Sequence, residues 1–389
     1  MRCRAMTVRV PVRAALLVWA RERSRIAPDE LAFRFPDLHA WENGGKQPTL
    51  KQLEKFAAAT HTPIGYFFLP EPPEERLPVP DFRTMGDVEV GKASLDLLDT
   101  VYQCQQRQDW YREYVRVRRE GGTPFVGTLT TDTDVAEAAR TMHDVLAYQS
   151  GERGSTWAEA LRKLVEASDG QGILVMVSGI VGSNTHRKLD PEEFRGFALV
   201  DQLAPLVFVN GADTKAAQIF TLAHELAHIW LGQSAVSDAD VGSSPANAIE
   251  RWCNRVAAEF LVPLNALSDV DPERPDLTGE LERVARIFKV STLVVLRRIF
   301  DAGLLTEGRY RSAYARERDR VLALMDERPA GSGGGDFYNT QPVRVSKRFA
   351  RAIIESTREG QTLYSDAYQL LGFRKHATFE ELAARLGVA

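Results

Sequence analysis

Between Thr214 and Leu231 the chain has a segment that is apolar almost all round, ends at Gly232, and yet contains His224-Glu225-Leu226-Ala227-His228. The pattern predicts a buried central helix with Gly232 as its stop. Burying two imidazoles and a carboxylate there for packing alone would be expensive, so these groups must serve one another or a ligand. Four residues are close to one helical turn, so both rings project from one face about a pitch apart, where a single cation accepts a nitrogen from each. Glu225, one residue beyond the first ring, comes to lie beside such a metal without being a ligand, placed to take a proton from water.

A hydrolytic zinc site wants a third protein ligand and one open position. The metzincin pattern would need Gly at 231 and His at 234, but Leu231 and Ser234 stand there. The alternative is a Glu from a following helix, and Glu250 and Glu259 are the candidates. They lie nine residues apart, half a turn out of phase, so one straight helix cannot present both to the same ion. Glu250 is preferred. Asn254, four residues on, is expected on the same face as a hydrogen-bond support for a liganding His, and Glu259 as a structural or substrate-side carboxylate. Cys253 falls about 100° off that face and reads as a small core residue. With Cys3 and Cys104 it forms no C-x-x-C pair, which argues against a disulfide framework and for a reducing compartment.

The 389 residues, 44% hydrophobic and 26% charged, suit a globular chain of two to four folding units. Net charge is −4, but up to Leu69 eight Arg and three Lys face six acids, a basic head on an acidic body. That head, residues 1–70, reads as short helices over 12–24, 28–35, 38–43 and 50–60, the last opened by a Thr49/Gln52 capping box. A proline-rich linker follows over 71–93, then a helical connector over 94–170 with helices at 94–120, 135–146 and 156–167. β-Branched runs at 173–177, 197–200 and 206–209 predict a small sheet within a core spanning 171–277. Residues 249–261 form the partner of the His-bearing helix. Residues 278–328 read as a helix-turn-helix-like segment with further helices, hinged at Val290-Ser291. Gly331 to Gly335 is a flexible joint, and 336–389 is a helical tail with a Thr378/Glu381 capping box before its last helix. The apolar run Ala14 to Ala20 is too short for a membrane span and precedes Arg21, Arg23 and Arg25, so neither a signal peptide nor a membrane helix is expected, and the chain reads as cytoplasmic.

Gln218 to His228, followed by Glu250 to Pro263, resembles the ImmA/IrrE family of bacterial zinc metallopeptidases, in the longer form that carries an amino-terminal XRE-type helix-turn-helix. Val209-Asn210-Gly211 and Gly335 to Tyr338 also fit. The resemblance implies an α+β, predominantly helical protein: an XRE-like head, a gluzincin-type, zincin-like core and a helical carboxyl-terminal region. It implies Zn²⁺ held by His224, His228 and Glu250, with Glu225 as catalytic base, and a protein substrate that is a transcriptional repressor or other regulator. His186, Arg195 and Tyr310 are candidates for stabilising the oxyanion.

Leu31-Ala32, Trp41 to Gly44, Pro48 to Leu50 and Leu53 follow the XRE pattern, but the spacing from Ala32 to Trp41 is about one helical turn short, where the recognition helix should begin. Pro36 and Asp37 occupy that place, and Asp37 would face phosphate unfavourably. Lys46, Arg34 and Lys51 are the candidate DNA contacts. The rival reading is a DNA-binding regulator or antitoxin whose peptidase-like fold chiefly binds a protein such as a toxin-like nuclease; a homodimer is a further candidate assembly.

Overall fold

The computed structural model describes residues 8–24, 26–80, 84–85, 88–89, 93–149, 151, 153–237, 247–271, 276–326 and 337–388. They fall into two compact units, Met1–Leu77 with Lys92–Leu98, and Pro78–Gly91 with Asp99–Ala389. Among the described residues no helix is long and apolar enough to cross a membrane.

The first unit holds α1 (Ala14–Ser24), α2 (Pro28–Arg34), α3 (Leu38–Glu42) and α4 (Leu50–Ala59), closed by a 3-10 turn, Ile64–Phe68. Leu16, Leu17, Leu31, Trp41, Leu53 and Phe67 are buried around Phe56, which meets Phe35 and Trp41 edge-on. Helix α1 begins two residues later than the pattern predicts, and ahead of it the Val12 N–H donates to Gln47 Oε1 at 2.9 Å. The Thr49/Gln52 capping box is formed. Asp37 stands at the start of α3 without capping it, since its carboxylate is taken by Lys46 at 2.6 Å.

In the second unit β1 (Thr84–Met85) and β2 (Val88–Glu89) form a short antiparallel pair inside the stretch read as an extended linker. Three helices, α5 (Leu95–Arg118), α6 (Val135–Leu146) and α7 (Trp157–Gly170), lead into the main sheet. Its strands are β3 (Leu174–Ser178), β4 (Gly196–Leu199) and β5 (Leu206–Asn210), then, after α8 (Lys215–Leu231), β6 (Ala235–Ser237). Their order is β3-β5-β4-β6, with β3 parallel to β5 and the other pairs antiparallel. Side chains alternate across the sheet. Val175, Val177, Val207 and Val209 join Leu222 and Leu226 of α8 in the main core. On β3, Met176 points the other way, its Sδ 3.9 Å from Cys104 Sγ of α5. Gln108 of α5 donates to the carbonyls of Leu199 and Ala204 at 2.8 and 2.9 Å.

Next come α9 (Ala248–Leu261), α10 (Leu277–Phe288), α11 (Thr292–Asp301) and α12 (Glu307–Asp326). The tail is α13 (Phe337–Val345), α14 (Lys347–Arg358), α15 (Tyr364–Leu371) and α16 (His376–Leu386). Ser291 caps α11 by accepting from the Val294 N–H, as its Val-Ser turn predicts. The Thr378/Glu381 capping box is not formed: α16 starts at His376 after an uncapped Lys375, which puts Thr378 inside the first turn. The glycine joint at 331–335 lies outside the described residues.

A buried arginine ties two of these helices together. Arg153 donates to the carbonyls of Phe260 and Leu261, at the end of α9, and of Phe288, at the end of α10, at 3.2, 2.7 and 2.8 Å. Helix carboxyl ends leave carbonyls unpaired and carry partial negative charge, so one guanidinium satisfies both. Arg153→Met is expected to lower unfolding stability by about 2–4 kcal/mol, the strandings of the carbonyls outweighing relief of the buried charge. A urea midpoint unchanged from wild type would refute this.

Asp169, at the end of α7, accepts from Ser346 Oγ at 2.9 Å. Burial pushes its carboxyl up to about 6, against the opposing pull of Ser346, the Val175 N–H and Arg348. A folded-state value above the ordinary one means that the fold favours the protonated acid. Stability is then full below the ordinary value and falls as pH rises toward 6, by about 3 kcal/mol at 1.36 kcal/mol per pKa unit. Asp169→Asn, which keeps an acceptor oxygen, is expected to match wild type near pH 4 and exceed it by about 1–3 kcal/mol above pH 7. Parallel stability curves for the two proteins across that range would contradict it.

Candidate metal centre

Helix α8 is capped at both ends: Thr214 accepts from the Ala217 N–H, and Gly232 turns left-handed at φ 71°. Its residues from Gln218 to Trp230 are all buried, so the helix is a rod through the core with no solvent face. Asn247 caps α9, which sets Glu250 in that helix's first turn. The two rods bring three side chains to one point. His224 Nε2 and His228 Nε2 lie 3.1 Å apart, and the Glu250 carboxylate oxygens lie 3.2 and 3.1 Å from them. Both rings are fully buried, and Glu250 is 3% exposed.

These atoms fit a tetrahedral cation. Ligands at ~2.0–2.1 Å from such an ion stand about 3.3 Å from one another, close to the separations seen. Among the described residues this trio is the one His/Cys/Asp/Glu group close enough to hold a metal ion. Burial alone would raise the Glu250 carboxyl, but the two imidazoles outweigh it and hold it at about 2, so it is a carboxylate throughout the neutral range.

Glu225 is also fully buried. Its Oε1 accepts from Ser237 Oγ on β6, while Oε2 has no hydrogen-bond partner among the described residues. Burial pushes its carboxyl up to about 8; His228 and the Ser237 hydrogen bond pull the other way and Glu250 adds to the rise. A divalent charge at the neighbouring trio would lower it. Gly196 of β4 makes room for this carboxylate, since a Cβ there would sit 2.6 Å from Thr221 Cγ2 and 3.0 Å from Glu225 Oε1. The outward-facing Val236 N–H of β6 donates to the Pro80 carbonyl at 3.0 Å.

The support expected from Asn254 is not made. Among the described residues neither His224 Nδ1 nor His228 Nδ1 has a hydrogen-bond partner, and Asn254 Oδ1 has none either. Asn254 shares a face with Glu250 but stands about 6 Å further along α9, one turn beyond the carboxylate. Glu259 is taken by Arg298 of α11 and accepts from the Leu264 N–H, a structural use. Cys253 is a buried core residue whose thiol is pushed well above the ordinary range, first by burial and then by Glu250 and Glu225.

Of the oxyanion candidates, Arg195 directly precedes β4, its backbone N–H donating to the Ser237 carbonyl at 3.4 Å. Tyr310 stacks on Phe300 at 4.4 Å, and His186 is exposed in the loop between β3 and β4. In the first unit Lys46 is committed to Asp37, Arg34 stands 4.0 Å from Glu30, and Lys51 is exposed on the first turn of α4. Ser237 and Gly196 belong to the site but carry no motif; only the pairing of β4 with β6 reveals them.

Nothing among curated proteins or solved structures matches this chain. Residues 345–385 match the family model of a domain of unknown function, DUF8813. Residues 169–300, which run from the end of α7 to α11 and contain all three converging side chains, match the IrrE N-terminal-like domain of peptidase family M78. Over that span the chain is similar to a metallopeptidase, and its core is metallopeptidase-like, with a buried His-His-Glu site suited to a metal ion.

Proposed function

We propose that this protein is a zinc-dependent endopeptidase of the gluzincin type that cuts a transcriptional regulator or similar protein. The observation that carries this reading is the convergence of His224, His228 and Glu250 with Glu225 buried beside them. Two nitrogens and one oxygen form a donor set that suits zinc. When bound, zinc would supply a Lewis acid that acidifies water and polarises the scissile carbonyl. The protein's own part begins at Glu225, whose carboxylate takes the proton of the attacking water and delivers it to the leaving amine. Ser237 holds the other carboxylate oxygen in place, and the apolar wall of α8 excludes bulk water.

The amino-terminal unit is, on this proposal, an XRE-like helix-turn-helix that brings the peptidase to its target at or near DNA. The rival reading, a regulator or antitoxin that only docks a nuclease-like partner, is less favoured: docking gives no reason to bury a carboxylate with a free oxygen beside three converging ligands.

The test is to incubate the purified full chain with regulators encoded beside it, with and without a zinc chelator. Cleavage that stops on chelation and returns with zinc supports the proposal. Cleavage that persists in chelator, or none by zinc-loaded protein on any of them, counts against it.

A further inference from the structure

A cavity of about 820 Å³ opens on the second unit, away from the His-His-Glu cluster. Its walls come from α5, from the loop between β3 and β4, and from α15 with the turn after it. Among the described residues that line it are three arginines, Arg107, Arg187 and Arg374, and no aspartate or glutamate. Arg187 is neutralised by Asp99 at 2.7 Å, and Arg374 is exposed.

Arg107 is the unusual one. It is 7% exposed, and its contacts among the described residues are uncharged: Nε donates to the Leu370 carbonyl at 3.0 Å and Nη1 to Met176 Sδ at 3.7 Å. The ionisable neighbour beside it is Cys104, whose thiol burial pushes up to about 12, so at neutral pH it supplies no negative charge. A guanidinium has five donors, and a buried cation without a counter-ion is a standing cost to the fold. Capping one carbonyl at the end of α15 does not need an arginine.

We propose that this cavity binds a small organic phosphate of about nucleotide size, with its anionic group on Arg107 and Arg374. Arginine forks match phosphate oxygens two at a time, and the volume lies in the range of small-ligand sites. Tyr368 and Phe373, 5.9 Å apart on the same wall, offer apolar faces to the organic part of the ligand. The loops meet closely at this wall: Ser183 Oγ donates to the Gly372 carbonyl at 2.6 Å, and a Cβ on Gly372 would sit 2.7 Å from that hydroxyl. A ligand here would therefore bear on both the 181–187 loop of the metallopeptidase-like core and the tail helices.

The test is thermal unfolding of the full chain with AMP, GMP, inorganic pyrophosphate or citrate at constant ionic strength. A phosphate probe at about a hundred times its Kd is expected to raise Tm by about 5 °C. Arg107→Met is expected to abolish that shift while leaving the probe-free Tm equal to or above wild type, because it removes an uncompensated buried charge. Arg374→Gln, at an exposed position, is expected to weaken the same binding about tenfold. The proposal is overturned if none of the three phosphate probes shifts Tm beyond the chloride control, if Arg107→Met and Arg374→Gln both shift as wild type does, or if citrate alone acts. A fall in the probe-free Tm of Arg107→Met with no probe effect on wild type would assign Arg107 a purely structural part.

Discussion

Glu225→Gln is expected to keep its zinc and to lose about 10²–10⁴-fold in the rate of peptide hydrolysis. The amide matches the carboxylate in shape, its oxygen can still accept from Ser237 Oγ, and none of the three proposed metal ligands is touched. What it cannot do is take a proton. The position is built for a base: the side chain is fully buried, one oxygen is anchored and the other is free. Turnover and zinc content should be measured on the same preparation. An unchanged rate would remove Glu225 from the reaction, whereas loss of zinc along with rate would move it into the ligand set.

Glu250→Ala should have the larger effect on the metal. A structural zinc site contributes on the order of 10–16 kcal/mol, so removing one of three protein ligands should forfeit about 3–5 kcal/mol, a hundredfold to several-thousandfold rise in the zinc Kd. Glu259→Gln is the matched control: it lies on the same helix, pairs with Arg298, and should disturb packing without changing zinc affinity. Competition with a chromophoric chelator reads both. If the control weakens zinc as much as Glu250→Ala does, the choice between the two glutamates has to be reversed.

The site was largely legible because its parts obey one period. His224 and His228 are a turn apart on α8, and Glu250 and Glu259 are half a turn out of phase on α9, so the helical period alone says that no more than one of the two glutamates can face the histidines. What one rod cannot tell is reach. Asn254 has the right phase, yet its expected hydrogen bond is not made among the described residues. Ser237 was invisible because β6 is a three-residue strand, Ala-Val-Ser, whose place is fixed by pairing with β4 and not by any pattern of its own. The start of α10 at Leu277 and the extent of α12 were obscured in a similar way. Helix α12 is rich in charge, with pairs such as Arg320 to Glu317 and Glu282, and lacks a clear apolar stripe to mark its limits. Arg107 likewise reads in the sequence as one more helix charge; its burial, with no counter-ion among the described residues, appears only once α5 is laid against β3.

The most direct measurement is X-ray absorption at the zinc edge on the full-length protein after purification in zinc. The expected result is a nitrogen and oxygen shell at about 2.0–2.1 Å with the scattering signature of two imidazoles. A sulfur shell at about 2.3 Å, which would require the buried, protonated Cys253 as ligand, or a protein that takes up no zinc, would contradict it.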